Sequence, residues 1–341
     1  MKKRTLSLLA VFALVLGLLT GCGDQGNSSG SSSQSDGTSA TEKTTVNVGA
    51  LKGPTGIGMV QLMDQNDHGK TANNYNFTLA GDPQDMVGKI SNGDLDIAAV
   101  PTNLAANLYK KTSGNVQLVA INTLGNLSIL ERGESIQSVE DLKGKTIYAT
   151  GQGSNPEYVL DYILKANGLD PETDVTIIYK SEHSELATLM ASGEVDIALL
   201  PEPYVTSVLN KSEDVRVAID VTKAWDEAAG ESGSQLAMGC IIVRKDFLEN
   251  NQEAFDAFMK EYEESTNWVV SNVSDAAQLV GKYEIMDAAV AEKAIPNCNI
   301  TFLKGEEMKK AAQGFFQVLF DEAPQSIGGS MPEDGLYYLG E

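Results

Sequence analysis

Two glycine-rich loops carry the residue types that could hold a small polar group. Lys52, Gly53, Pro54, Thr55 and Gly56 spell "KGPTG", and the loop "GQGSN" contributes Gly153, Ser154 and Asn155. Each loop follows a short apolar run and precedes apolar residues at helical spacing: Met59, Val60 and Met63 after the first, Val159, Leu160, Ile163 and Leu164 after the second. That pattern reads as strand, turn and helix, and the first N–H groups of such a helix have no intrahelical partner. With hydroxyl and amide side chains beside them, they suit an anionic or strongly polar ligand. Thr102 and Asn103 in "PTN" and Glu202 and Tyr204 in "PEPY" occupy a second pair of matching positions.

Glu202 divides the ligand reading. Pointed into a cleft, it would repel a sulfonate and accept hydrogen bonds from an amino group, while Tyr204 or Tyr158 could stack on a ring. Pointed elsewhere, it favours the first turn of its own helix. Lys52 is the sole cation in the first loop, so no bidentate anion clamp is evident.

Other chemistries find little to work with. In "GQGSNP", Pro156 stands where a dinucleotide fingerprint needs its third glycine, and neither loop has the Gly-Lys-Ser/Thr of a triphosphate loop. His68 and His183 are the two histidines and lie far apart in the chain, so they read as surface or helix-start residues and no metal centre or cofactor is expected. No catalytic triad or Cys-His pairing is evident, so the chain is not read as an enzyme.

The elements that would position these residues are written twice. "GDLDIAAVP" from Gly93 and "GEVDIALLP" from Gly193 are 100 residues apart, as are the loops that hold Gly53 and Gly153. Between loop and nonamer come "NFTLA" or "VTIIY", further strands, each followed by a helix, "PQDMVGKISNG" or "SELATLMASG". Each half is therefore β-α-β-α-β. Gly93 and Gly193 should close helices at positive φ, and Pro101 and Pro201 should sit in the first turn of the next helix. In open α/β sheets ligands bind beyond the carboxyl ends of the strands, so two such halves facing each other would aim both loops into one cleft. Farther on, "DFLENNQEAFDAFMKEYEESTNWVV" puts Phe255, Phe258, Met259 and Tyr262 on one helical face, a core-packing stripe, and "DAAVAEKAI" and "GEEMKKAAQGFFQVLF" read as further helices.

The first 21 residues stand apart from the fold. "MKKR" followed by "LSLLAVFALVLGLL" reads as an export signal, and Leu19-Thr20-Gly21-Cys22 resembles the bacterial lipobox, in which the cysteine becomes a lipidated N-terminus. Residues 22–44 then form a Gly/Ser-rich leash with a reach of about 25 Å. Loss of Lys2, Lys3 and Arg4 with the signal deepens the net charge of −22 to −25. That acidity argues against nucleic acid or an anionic membrane surface as partner. Cys240 and Cys298 read as two unpaired, partly buried thiols, with a bridge between them as the alternative.

These residues together resemble a known family. The lipobox ending at Cys22, "VGALKGPTGIGMVQLM", "GDLDIAAVP", "SVEDLKGKTIYATGQGSNPEYVLDYILKANGLDP", "GEVDIALLPEPYV" and "VRKDFLENNQEAFDAF" are similar, in this order, to solute-binding lipoproteins of ABC importers. The branch resembled is that of nitrate, sulfonate and taurine binders, with binders of the thiamine pyrimidine precursor. The resemblance implies a two-lobed periplasmic-binding-protein fold of type II with two crossing segments, near "NTLGNLSIL" and "SQLAMGCIIV". Residues 45–127 and 237–341 would then form lobe 1 and residues 128–236 lobe 2, with the C-terminal helices thickening lobe 1. Asn126, at the first crossing, joins the candidate ligand-binding residues. The solute would be a sulfonate- or nitrate-like anion or an aminopyrimidine-like compound, passed by a monomer on the outer face of the cytoplasmic membrane to an ABC permease and its ATPase. Two alternatives are a receptor that presents its ligand to a sensor, and an enzyme on the same two-lobed fold.

Overall fold

Each copy of the nonamer ends a helix, turns through a left-handed glycine and enters a buried strand. The computed structural model describes residues 43–230 and 233–340, so the export signal, Cys22 and most of the leash lie outside the described residues. The strands are β1 (Thr45–Leu51), β2 (Asn74–Ala80), β3 (Ile97–Pro101), β4 (Val116–Thr123), β5 (Leu127–Arg132), β6 (Thr146–Thr150), β7 (Thr176–Lys180), β8 (Ile197–Pro201), β9 (Val215–Asp220), β10 (Gly239–Arg244) and β11 (Ile300–Leu303). The helices are α1 (Pro54–Ile57), α2 (Val60–Asp67), α3 (Gln84–Asn92), α4 (Thr102–Lys111), α5 (Asn155–Ala166), α6 (His183–Ser192), α7 (Tyr204–Leu209), α8 (Val221–Ala229), α9 (Lys245–Asn250), α10 (Gln252–Ser271), α11 (Val273–Lys282), α12 (Ala288–Ala294) and α13 (Gly305–Glu322).

The strands form two mixed sheets, ordered β11-β4-β10-β3-β1-β2 and β7-β6-β8-β5-β9. Apart from the added edge strand β11, the two orders are the same. In each, the first three strands of a half run parallel, and one antiparallel strand separates the third from the fourth: β10 between β3 and β4, β5 between β8 and β9. The sequence reading of each half as β-α-β-α-β therefore lacked a fourth strand and this inserted one. The inserted strand arrives from the crossings. The chain leaves the first sheet after Thr123 and enters the second at Leu127, and it re-enters the first at Gly239.

Packing follows strand alternation. In β3, Ile97 and Ala99 join a core with Phe255, Phe258 and Tyr262 of α10, while Ala98 and Val100 join the core on the other face with Phe315 and Phe316 of α13. Both faces are covered, which is why this strand reads as a continuous apolar run. In β8, Ala198 and Leu200 pack with Leu186 and Met190 of α6, while Ile197 and Leu199 belong to the same core as Phe315. That core continues from one sheet to the other: Trp225 of α8 lies 5.4 Å from Phe315 of α13, ring centre to ring centre. Lys165 of α5 pairs with Glu322 at 3.0 Å, and Lys293 of α12 donates to Asn210 at 2.8 Å. The C-terminal helices thus do more than thicken lobe 1, because they also buttress the second sheet.

Two smaller expectations change, and a third holds. Pro101 and Pro201 are the last residues of β3 and β8 rather than first-turn residues of the next helix. The stretch from Asp246 to Val270 is broken at Asn251, which leaves the helical region at φ −139° and separates α9 from α10. Cys240 and Cys298 are both buried and unpaired, so the alternative of a bridge is not realised.

Gly93 and Gly193 both take φ +83°, as helix ends in left-handed backbone. Beside Gly93 lies Arg244, which closes β10 and pairs with Asp246 and, at 3.9 Å, Asp96; beside Gly193 lies Arg132, which closes β5 and pairs with Asp214. A Cβ on Gly93 would stand 2.5 Å from the Arg244 guanidinium, whereas on Gly193 its nearest neighbour would be Arg132 at 3.7 Å. Left-handed backbone alone costs a non-glycine residue about 1–2 kcal/mol. Gly193→Ala should lose about that much in urea unfolding, and Gly93→Ala more, since it also displaces Arg244 from its ion pairs. Equal losses would show that the arginine yields freely.

Candidate ligand-binding cleft

All six parallel strands that feed the cleft do so from their carboxyl ends, where an open α/β sheet leaves a crevice. In lobe 1, β1 delivers Leu51 to Thr55, β2 delivers Gly81 to Gln84, and β3 delivers Pro101; in lobe 2, β6 delivers Gly151, Gln152, Ser154, Asn155 and Pro156, β7 delivers Tyr179 to His183, and β8 delivers Pro201, Glu202 and Tyr204. Thr123, Asn126, Met238 and Gly239 close the crevice at the crossings, and the enclosed volume is about 370 Å³. That is the size of a small organic molecule.

Of the residues singled out in the sequence, Lys52, Gly53, Pro54, Thr55, Asn126, Ser154, Asn155, Glu202 and Tyr204 line this cleft. Gly56, Thr102, Asn103 and Gly153 do not. Gly56 lies within α1 and is buried, where a Cβ would stand 2.5 Å from the Leu51 carbonyl oxygen. Thr102 and Asn103 are buried because β3 runs straight into α4, and the Asn103 amide donates to Ser326 O at 3.3 Å. The Gly153 N–H is taken by the carboxylate of Glu157. Asn155 reaches between the lobes: its Nδ2 donates to Met238 O at 2.7 Å, and its Oδ1 accepts from Asn103 N at 3.4 Å.

Glu202 lies at the cleft and also caps the first turn of its own helix. It lines the cleft while only 6% exposed, and its carboxylate accepts from Thr206 N at 3.1 Å and Thr206 Oγ1 at 3.0 Å in the first turn of α7. Burial raises its pKa above the ordinary carboxylate value against the pull of those two bonds.

The sequence reading missed the loops after β2 and β7. Asp82, Lys180, Glu182 and His183 all line the cleft, and the repeat offered a signal, since Asp82 and Glu182 are 100 residues apart. His183 opens α6, as expected of a helix-start residue, but it also faces the cleft. Its Nδ1 is hydrogen-bonded to Thr150 Oγ1, and its ring lies 5.3 Å from that of Tyr204. Burial drives its pKa down to about 4, against the opposing charge of Asp82. His68, by contrast, sits exposed at the end of α2.

The charge around the cleft comprises carboxylates from Asp82, Glu182 and Glu202 against ammonium groups from Lys52 and Lys180. Lys180 is paired with Glu185 at 3.3 Å. No arginine is among the described residues that line the cleft, and no group of His, Cys, Asp and Glu among the described residues could hold a metal ion.

Comparison with known proteins now bears on this geometry. The model of the family described as ABC transporter, phosphonate, periplasmic substrate-binding protein matches residues 70–294. The chain belongs to this family. YtlA of Bacillus subtilis (strain 168), which carries the name of a binding protein, is 25% identical over 229 residues, 64% of this chain and 64% of its own length. The chain thus matches less than two thirds of that curated relative. An ABC transporter from Parabacteroides distasonis, in a crystal structure at 22% identity, superposes with a TM-score of 0.72 over 87% of this chain and 99% of that one. The alkanesulfonate-binding protein SsuA from Xanthomonas axonopodis pv. citri, bound to MOPS, does so at 16% identity with a TM-score of 0.64, over 83% and 94%. The two-lobed fold expected from the sequence is the fold of these proteins, and the relatives are substrate-binding proteins rather than enzymes.

His183 gives this binding protein a titration signature. Its pKa in the fold is about 4, below the ordinary value of 6.5, so between those two pH values the unfolded chain holds a proton that the folded one does not. Stability is therefore lost as pH falls from 6.5 towards 4. In melting curves across that window, His183→Asn should show a shallower fall in Tm than the native protein. An identical slope would mean that His183 is protonated in the fold.

Proposed function

We propose that the chain is a lipid-anchored, extracytoplasmic solute-binding protein that captures a small polar organic solute between its lobes and delivers it, as a monomer, to the permease and ATPase of an ABC importer. The observation that carries this reading is the cleft. It is lined from both sheets at the carboxyl ends of their parallel strands, and its floor contains residues from the two crossings. Family membership supports the pairing with an importer. The anchor rests on the lipobox ending at Cys22, and among the described residues no helix is long and apolar enough to cross a membrane.

The mechanism follows from the connections. The chain passes between sheets at Leu124 to Asn126 and again before Gly239, so small backbone rotations there open or close the crevice. A solute that touches both walls binds the closed arrangement better and shifts the population towards it. The closed form then presents a surface, composed of both lobes, that the permease can distinguish from the open one. The leash from Cys22 keeps this encounter local to the membrane.

Two measurements test the reading. Solute at about 100 times its dissociation constant should stabilise the protein by about 2.7 kcal/mol, which raises Tm by several degrees and accompanies a smaller radius of gyration in X-ray scattering. If no small solute moves Tm and native mass spectrometry of the full chain finds none retained, solute capture is wrong. For the anchor, Cys22→Ser should abolish incorporation of labelled fatty acid and release the protein from the membrane fraction. Retention of both in the variant would place the anchor elsewhere.

A further inference from the structure

Part of the anion-binding capacity of the cleft is taken up by the protein itself. Of the helices that begin at its walls, α3 and α7 each have a carboxylate from the residues before them seated on an N–H group, and the loop before α5 gives an N–H to a carboxylate as well. Asp82 Oδ1 accepts from Gln84 N at 2.8 Å at the head of α3. The Glu157 carboxylate accepts from Gly153 N in the loop that precedes α5, and Glu202 Oε2 from Thr206 N in the first turn of α7. A helix end neutralised in this way has little pull left for a phosphonate or a sulfonate.

Acceptors, by contrast, outnumber the cations of the cleft. Asp82 and Glu182 hold equivalent places at the ends of β2 and β7 and both line the cleft, where Glu182 Oε2 reaches to 3.6 Å from where a side chain on Gly81, the residue before Asp82, would begin. Glu182 makes no capping bond to α6. Of the two lysines present, Lys180 is already paired with Glu185. An independent observation comes from the floor. Asn126 lines the cleft while only 9% exposed, and its buried Oδ1 has no hydrogen-bond partner. Buried acceptors are rarely left unpaired, so this one calls for a donor from outside the fold. The paired rings of His183 and Tyr204 add an aromatic surface on the lobe 2 wall.

Resting on the capture reading above, we infer that the solute carries a cationic or donor-rich nitrogen group, such as an amine, an amidine or an amino-substituted ring. This group sits between Asp82 and Glu182 and reaches towards Glu202 and Asn126, in place of the phosphonate that the family's description names. The pair of facing carboxylates then acts as a selectivity device. Without a cation, closure brings like charges together, and a cation between them removes that repulsion. A ring bearing the nitrogen can also lie against His183 and Tyr204.

Isothermal titration of the full chain in detergent tests this with two sets of probes: benzamidine, 4-aminopyrimidine and putrescine against methylphosphonate, ethanesulfonate and nitrate. At least one nitrogen compound should bind, and Asp82→Asn with Glu182→Gln should weaken it at least tenfold. Asparagine preserves the cap on α3, so this double variant should keep its Tm. Glu202→Gln should weaken the same probe as well. Binding of an anion and of no nitrogen compound overturns the inference and leaves solute capture standing. A double variant that binds the nitrogen probe as tightly as the native protein overturns it too. Silence from both sets, with no solute retained on the purified chain, removes the inference and the capture reading together.

Discussion

Each lobe depends on a strand that the crossings deliver. In the first sheet β10 is the sole link between β3 and β4, pairing antiparallel with both, and in the second β5 joins β8 to β9 in the same way. Without that insertion β4 and β11 would be cut from the rest of their sheet, and the cores on both faces would lose Cys240, Ile241, Ile242 and Val243. The crossings are therefore anchored at both ends by ladder hydrogen bonds. Freedom between the lobes is confined to the few residues that belong to neither ladder. A binding protein needs this combination: two rigid walls and a short, defined place to bend.

The same logic governs the cleft. Strand ends and helix starts converge there by topology, which alone would make it an attractive place for anions. The chain counters this in part with carboxylates of its own, and two of them, Asp82 and Glu202, accept from helix N–H groups while lining the crevice. A capping residue and a ligand-facing residue are here one side chain. This is why Glu202 belongs both to the wall of the cleft and to the first turn of α7, and why the family fold does not by itself dictate the charge of the solute.

Much of the fold was legible because a repeat of sequence became a repeat of sheet order. The nonamers gave β3 and β8, their glycines gave the ends of α3 and α6, and the loops gave the heads of α1 and α5. The inserted strands were invisible to that reading, since β5 and β10 belong to crossings rather than to repeats and differ in sequence. At the site the repeat also misled where the halves diverge. After β3 the chain enters α4 at once and buries Thr102 and Asn103, whereas after β8 the extra turn at Glu202 and Pro203 leaves its residues in the wall. Asp82, Glu182 and His183 were missed for the opposite reason. Their loops look like plain connections, and their importance comes from facing one another across a gap that only the assembled lobes create.

The contact between Trp225 and Phe315 lies where the core runs from one sheet to the other, with the Tyr162 ring 4.7 Å from the same indole. The chain has two tryptophans, and Trp225 is the one held between helices that belong to different lobes. Any rotation of one lobe against the other changes the ring environment of that indole. The molecule consequently carries a built-in optical gauge of its own posture, readable in its ultraviolet emission with no label attached.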